Sequence, residues 1–313
     1  MRYRQLGQSG LTVSVVGLGC NNFGRRLDAG QTRLVVDAAV DAGITFFDTA
    51  DTYGESGTSE AYLGEALQGH RQNVSIGTKF GNKHRARPDV APGSRQNIRR
   101  AVEDSLRRLR TDYIDLYQLH FPDPRTPIDE TLTALDELVR DGKVRYLGGC
   151  NFDAWQVVEA DWIARGQRSA RFISAQNRYN VLNRAPEAEL TPACLRYGIG
   201  IIPFSPLADG ILTGKYRRGE DPPAGTRLAS GRGGVLNDRV FDAIDALSAY
   251  ARERGIGLLD VAIGGLAARP AVGSVIAGAT TAEQARANAA AGEWTPSAAD
   301  LDSLERTLTE AAP

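Results

Sequence analysis

The sequence predicts an α/β fold, a (β/α)8 TIM barrel with an N-terminal β-hairpin and a C-terminal helix or tail. Three observations carry that reading. Short apolar, β-branched runs alternate with helical stretches of about 10–15 residues, the pattern of a parallel sheet covered by helices. About eight such units fit within 313 residues, the size of a closed barrel. No Pro/Gly/Ser-rich linker divides them, so residues 1–313 read as a single domain. A doubly wound open sheet is the competing architecture, and it wants Gly-x-Gly-x-x-Gly after its first strand. Gly17-Leu18-Gly19-Cys20-Asn21-Asn22 lacks the third glycine.

The elements follow in order. Residues 1–16 read as a hairpin, Tyr3–Leu6 and Leu11–Val16 about a turn at Gly7–Gly10. Val16–Cys20 is the first barrel strand. Asp28–Ala42 is helical, with Leu34, Val35, Ala38 and Ala39 as its apolar stripe and Gly43 as its stop. Thr45–Ala50 is a buried strand and Ser59–Gln68 a helix closed by Gly69. Val74–Lys79 is the third strand. Ser94–Arg110 is an amphipathic helix, Ile98, Val102, Leu106 and Leu109 on one face and arginines opposite. Asp115–His120 is a strand, and Ile128–Arg140 a helix with Leu132, Leu135, Leu138 and Val139 inward. Strand Val144–Asn151 and helix Asp153–Arg165 come next, then strand Ile173–Gln176 and a helix around Pro186–Tyr197. Gly200–Ser205 is a strand, and Leu207–Gly234 a long loop rich in Gly, Arg and Pro. Helices near Asp238–Glu253 and Leu258–Ala268 precede the last strand, Ser274–Ala277, and its helix, Ala282–Ala290. Ser297–Glu310 makes a C-terminal helix carrying Leu301, Leu304 and Leu308.

Composition narrows the function classes. A net charge of −1 gives no reason to expect nucleic acid or an anionic membrane as partner. No run approaches the ~18 apolar residues of a membrane span. Cys20, Cys150 and Cys194 are odd in number and far apart, so neither a disulfide framework nor a zinc ribbon is indicated. With no N-terminal signal pattern, a cytoplasmic location is expected. Oligomeric state leaves no trace. Only four of the 37 basic residues are lysine (Lys79, Lys83, Lys143 and Lys215), which makes each lysine worth inspecting.

In a barrel the active site is built by the loops after the strands. Three successive strands deliver reactive groups to that rim. One ends near Asp48 with Tyr53 in its loop, the next at Lys79, the third at His120. The set has a chemical logic. A tyrosine of ordinary pKa, about 10, is a poor acid at neutral pH. A lysine ammonium beside it lowers that pKa, an aspartate holds the lysine, and a histidine can hydrogen-bond a substrate oxygen. Such a site suits protonation of a carbonyl oxygen as a hydride reaches the carbon. It has no serine–histidine pair and too few ligands for a metal, so no metal is expected. Asp51 is equally acidic and has no role beyond shaping the loop.

The motifs Phe47-Asp48-Thr49-Ala50-Asp51-Thr52-Tyr53-Gly54, Thr78-Lys79, Tyr113–His120, Gly142–Gly148, Gln176 with Tyr179-Asn180, and Ser205-Pro206-Leu207 leading to Gly214-Lys215-Tyr216 resemble those of the aldo-keto reductases, from about Arg2 to Asn288. The resemblance implies carbonyl reduction with NADP(H), or NAD(H), bound across the barrel rim. Tyr53 becomes the general acid/base, Lys79 and Asp48 tune it, and His120 orients the carbonyl. Asn151 and Gln176 would hold the nicotinamide carboxamide, and Phe204 would stack on its ring. Ser205, Leu207 and Lys215 would line the pyrophosphate. Gly278, Thr280, Gln284 and Asn288 would take the adenosine end, and Asp48 would also reach the nicotinamide ribose. Cys20 is counted with this set as a small wall residue rather than a reactive thiol. Cys150-Asn151 stands where the family often has Ser-Asn, and Thr280 where it often has a base. Arg227 would then compensate toward a 2′-phosphate, and dual use with NADH is the alternative. Candidates for the substrate pocket are Asn22, Phe23, Phe121, Arg125 and Trp294. The family also contains channel-associated members with the same four residues, so a cofactor-binding regulatory or sensor subunit is an alternative. A sugar or alcohol dehydrogenase running in the oxidative direction is the nearest variant.

Overall fold

The computed structural model describes residues 1–84, 88–229 and 235–310. It is the barrel the alternation predicts. A hairpin of β1 (Tyr3–Gln5) and β2 (Thr12–Ser14) precedes eight strands: β3 (Val16–Gly19), β4 (Phe46–Asp48), β5 (Ser75–Phe80), β6 (Ile114–Leu119), β7 (Val144–Cys150), β8 (Phe172–Arg178), β9 (Gly200–Phe204) and β10 (Val275–Gly278). They pair in parallel in the order β10-β3-β4-β5-β6-β7-β8-β9. Closure between β9 and β10 is made by Ile201, whose N–H donates to Ala271 and whose carbonyl accepts from Gly273.

The helices start where the caps put them. Asp28 and Gln31 form a reciprocal capping box on α1 (Ala29–Asp41), satisfying two of the orphan N–H groups of the first turn. Ser94 caps α3 (Arg95–Leu109) in the same way, one-sidedly. Its buried Ile98, Val102 and Leu109 recur at helical spacing. The stripe of α1 differs from expectation. Thr32, Val35, Val36 and Ala39 face inward, and Leu34 is 65% exposed, because position 34 lies off the i, i+3, i+4, i+7 face. Helix α2 (Tyr53–Ala66) begins earlier than the expected Ser59, through a left-handed turn at residues 54–57. The remaining barrel helices are α4 (Ile128–Arg140), α5 (Ala154–Gln167) and α6 (Leu190–Tyr197). Helix α6 is shorter than expected, because a separate 3-10 turn takes Ala185–Glu187. The long loop opens with a 3-10 turn at Ala208–Thr213, and its residues 230–234 lie outside the described ones.

Between β9 and β10 lie α7 (Asp238–Glu253) and α8 (Leu258–Ala267), and α9 (Ala282–Ala291) follows β10. Helix α8 covers the barrel. Helix α7 instead packs on the C-terminal α10 (Ala298–Glu310) through Leu247, Tyr250, Leu304 and Leu308. Among the described residues no helix is long and apolar enough to cross a membrane.

Two features position the site. First, the hairpin closes the N-terminal end of the barrel. Its Leu6, Leu11 and Val13 pack against the inward Phe46, Leu116, Ile202 and Ile276, leaving an apolar floor. Second, α2 and α3 approach very closely. A Cβ at Gly64 would lie 2.5 Å from the carbonyl carbon and oxygen of Leu109. Gly64→Ala gains about 1 kcal/mol of helix propensity against an overpacking cost of up to about 3 kcal/mol where only backbone could give way. The variant is expected to lose ~2 kcal/mol in denaturant unfolding; an equal or greater stability would show that α2 can slide off α3.

Candidate active site

Alternation along the strands decides what enters the barrel mouth. In β4, Phe46 and Asp48 point into the barrel and Phe47 joins the core under the helices. Lys79 of β5 comes in beside Asp48. Its Nζ donates to Asp48 Oδ2 at 2.5 Å and to the Thr49 carbonyl at 2.9 Å, and lies 3.5 Å from the Tyr53 hydroxyl. Both charged side chains are buried, Lys79 completely. The other Asp48 oxygen accepts from Gln176 Nε2 at 2.7 Å and Gln118 Nε2 at 3.4 Å. A polar layer thus spans the barrel from β4 through β5 and β6 to β8, directly above the apolar floor.

His120 follows β6. Its ring lies edge-on to Tyr53 at 5.8 Å and stacks on Phe121 at 5.0 Å. The amide of Asn151 donates to its carbonyl, and its Nδ1 is buried without a partner. Burial, then Lys79 and His84, push its pKa down to about 3, so the imidazole is neutral at physiological pH. The tyrosine departs from expectation. Lys79 does favour the phenolate, but burial outweighs it and the Asp48 carboxylate opposes it, so Tyr53 is pushed up to about 12. Burial is the largest cause; the ammonium that opposes it lies 3.5 Å from the phenol and 2.5 Å from the carboxylate. Lys79 itself loses charge stability by burial and regains more from Asp48, then Tyr53, so it stays protonated.

Tyr53, His120 and Asp48 line the inner end of a cavity of about 770 Å³ that runs along the rim, within the range of ligand clefts. Every residue assigned to the cofactor by resemblance lines it: Cys20, Asn151, Gln176, Phe204, Ser205, Leu207, Lys215, Arg227, Gly278, Thr280, Gln284 and Asn288. Their present contacts qualify some roles. Gln176 already donates to Asp48, so its carbonyl oxygen, near Cys150 Sγ, is the end left for a carboxamide. Arg227 pairs with Asp209 at 3.1 Å. Thr280 donates twice to Gln284 Oε1, from its N–H and its hydroxyl. The far end of the cavity meets the N-terminus of α9, whose first turn is capped by Thr281 and whose dipole favours an anion.

The pocket candidates divide. Asn22 and Phe121 line the cavity. Phe23 and Trp294 do not. Phe23 is fully buried in the main core, and Trp294 packs over Gly264 and Gly265 of α8, since burial of a large aromatic ring gains more than rim exposure. Arg125 is also elsewhere, donating to the carbonyls of Pro88 and Val90. Three participants went unassigned in the sequence. Gln118 appears there only inside an apolar strand, Arg26 donates across the cavity to the Gly225 carbonyl, and Asp209 anchors Arg227 and Arg178. Of these only Gln118 carries a local signal, a polar side chain on the same strand face as His120. Among the described residues, no three His, Cys, Asp or Glu side chains are grouped to hold a metal.

A family profile described as the aldo/keto reductase family matches residues 15–308. The chain is 37% identical over 296 residues to an uncharacterized oxidoreductase, YrpG, of Bacillus subtilis, covering 91% of this chain and 89% of the relative. It is 34% identical to a probable voltage-gated potassium channel subunit beta of Oryza sativa, over 91% and 89% of the two chains. The protein tas of Escherichia coli is 34% identical over 92% of each.

Asp51, beside this site, yields a pH test. Its Oδ1 is buried without a hydrogen-bond partner. Burial, then Glu60, raise its pKa to about 7 against the pull of Arg108 and Lys79. In the unfolded chain the group titrates near 3.9. The folded state therefore keeps a proton that the unfolded state releases, and stability falls as pH rises from about 4 to about 7, then levels. Asp51→Asn removes this term. Its stability relative to wild type should increase across that window and plateau above it, measured by denaturant unfolding from pH 4.5 to 8.5; a difference independent of pH would contradict the assignment.

Proposed function

The chain belongs to the aldo/keto reductase family and is a nicotinamide-dependent oxidoreductase; on that premise we propose that it reduces small-molecule aldehydes and ketones to alcohols, with Tyr53 as the proton donor. One observation carries the reading. Lys79 Nζ contacts Asp48, the Thr49 carbonyl and the Tyr53 hydroxyl at the inner end of a cavity that His120 also lines.

The cavity residues fit a dinucleotide. Lys215 and the N-terminus of α9 lie along it as anion partners, and Lys215 packs over Gly210 (a Cβ there would be 2.6 Å from Nζ). The bound nicotinamide would supply a hydride. NADP(H) is the favoured cofactor, through Arg227, and NAD(H) the alternative, since Thr280 offers no charge. Asn151, Gln176 and Phe204 would hold the nicotinamide end, and Ser205, Leu207 and Lys215 the phosphates. Gly278, Thr280, Gln284 and Asn288 would hold the adenosine.

This chain's own groups then handle the proton. A neutral His120 donates an N–H to the carbonyl oxygen and fixes its place. As negative charge develops on that oxygen, the Tyr53 hydroxyl transfers its proton to it. The phenolate left behind is balanced by the Lys79 ammonium, which Asp48 keeps charged and in place. A phenol whose pKa stands at about 12 is protonated at neutral pH, the state needed for reduction. Alcohol oxidation is the same machinery run in reverse and starts from the phenolate. The whole chain, residues 1–313, acts as one domain in the cytoplasm, without nucleic acid. A second reading, a cofactor-binding regulatory subunit, draws on the relatives named as channel subunits. A stoichiometric partner in a pull-down, with negligible turnover on every carbonyl tried, would favour it.

Two tests follow. Tyr53→Phe should cut NADPH oxidation on an aldehyde panel by ~100-fold or more while nucleotide-binding fluorescence is retained; equal rates would sink the role. Neither Tyr53 at about 12 nor His120 at about 3 titrates near neutrality. The kcat/KM for reduction should accordingly be flat from pH 6 to 9, and a sigmoid step inside that range would count against these assignments.

A further inference from the structure

Tyr53 is delivered by a backbone that cannot hold itself. The four residues after it, Gly54, Glu55, Ser56 and Gly57, have φ of 63°, 51°, 68° and 94°. A left-handed turn is uphill for L-residues, and Glu55 and Ser56 are not glycine. Its neighbours must therefore impose it. On one side the carbonyl of Phe23 presses on Gly54, only 2.2 Å from where a Cβ would stand. On the other side lies Arg108 of α3. Its guanidinium covers Gly57 so closely that a Cβ there would be 2.4 Å from Nε.

Arg108 is itself fixed. Its Nε donates to Glu60 Oε2 at 2.7 Å, and its Nη2 pairs with the same oxygen as an ion pair at 2.6 Å. Glu60 is fully buried, and its other oxygen accepts from the Thr78 hydroxyl at 2.5 Å. Thr78 is the residue before Lys79. A continuous chain therefore runs from the strand end that carries Lys79, through Thr78, Glu60 and Arg108, to the turn that carries Tyr53. It joins the two sides of the 3.5 Å gap between the Lys79 ammonium and the Tyr53 hydroxyl.

We propose that Arg108 is a positioning residue for Tyr53, its planar guanidinium bearing on Gly57 and so setting the distance between the phenol and Lys79. The proposal rests on the role of Tyr53 as proton donor. Charge alone does not meet the requirement. A lysine would satisfy Glu60 as a point charge, but it lacks the flat, two-pronged group that both pairs with a carboxylate and covers a backbone.

The test is a double-mutant cycle on the full chain with NADPH and the fastest aldehyde of a panel. Arg108→Lys should lower kcat at least tenfold, change KM and the NADPH Kd less than twofold, and leave the circular dichroism spectrum native. Added to Tyr53→Phe, it should cost less than twofold further, because the group it positions is gone. Should Arg108→Lys fail to fold, Gly57→Ala strikes the same contact from the other side and should give the same kcat-only loss. Wild-type kcat in a folded Arg108→Lys or Gly57→Ala overturns the proposal. So does a tenfold loss that persists undiminished in the Tyr53→Phe background, the mark of a merely structural role. Full activity in Tyr53→Phe alone would remove the proton-donor reading, and the proposal with it.

Discussion

The ion pair of Lys79 and Asp48 governs how the rest of this barrel is arranged. Two opposite charges removed from water are costly unless their remaining hydrogen-bonding capacity is met. Here it is met on every side. Lys79 has the Thr49 carbonyl as well as the carboxylate, and Asp48 has the amides of Gln118 and Gln176. These partners come from four different strands. The pair therefore ties β4, β5, β6 and β8 to one geometry, and a barrel that closed with another register would strand a charge in its interior. This is a physical reason for glutamines at strand positions that elsewhere in the barrel are apolar.

The same pair sets the electrostatics of its neighbours. Burial raises the Tyr53 phenol more than the Lys79 ammonium lowers it, and the Asp48 carboxylate adds to the rise. The tyrosine stays protonated and the histidine stays neutral. Proton-handling groups at this mouth are thus held away from their own titration midpoints, and Lys79 serves to steady the charge that appears when a proton leaves.

The barrel and the four rim groups were legible in the sequence because both follow from local rules. Alternation of strand and helix gives the sheet, and period-two alternation sends Asp48 and Lys79 to one interior and His120 to its rim. What escaped was what depends on contacts distant in the chain. Arg26 meets Gly225 across 199 positions. The left-handed turn after Tyr53 contains only two glycines in four residues, and its hold comes from Arg108, which lies beyond the whole of β5 near the end of α3. Phe23 and Trp294 stand in the right loops, but a loop aromatic beside a core turns inward, and no local pattern shows which way. The direction of the Tyr53 shift was likewise out of reach. Its sign depends on how completely the fold buries the phenol, a cause that outweighs the lysine and that spacing does not encode.

The hairpin at the opposite end acquires a meaning beyond packing. By plugging the barrel with Leu6, Leu11 and Val13 it makes a cup of what would otherwise be a tube. In electrical terms it is the insulation beneath the ion pair: water reaches the charges from one side only, and the field between Lys79 and Asp48 is confined to the mouth. Residues of the chain's first hairpin, well before Asp48 in sequence, thereby help set the voltage at which Tyr53 works.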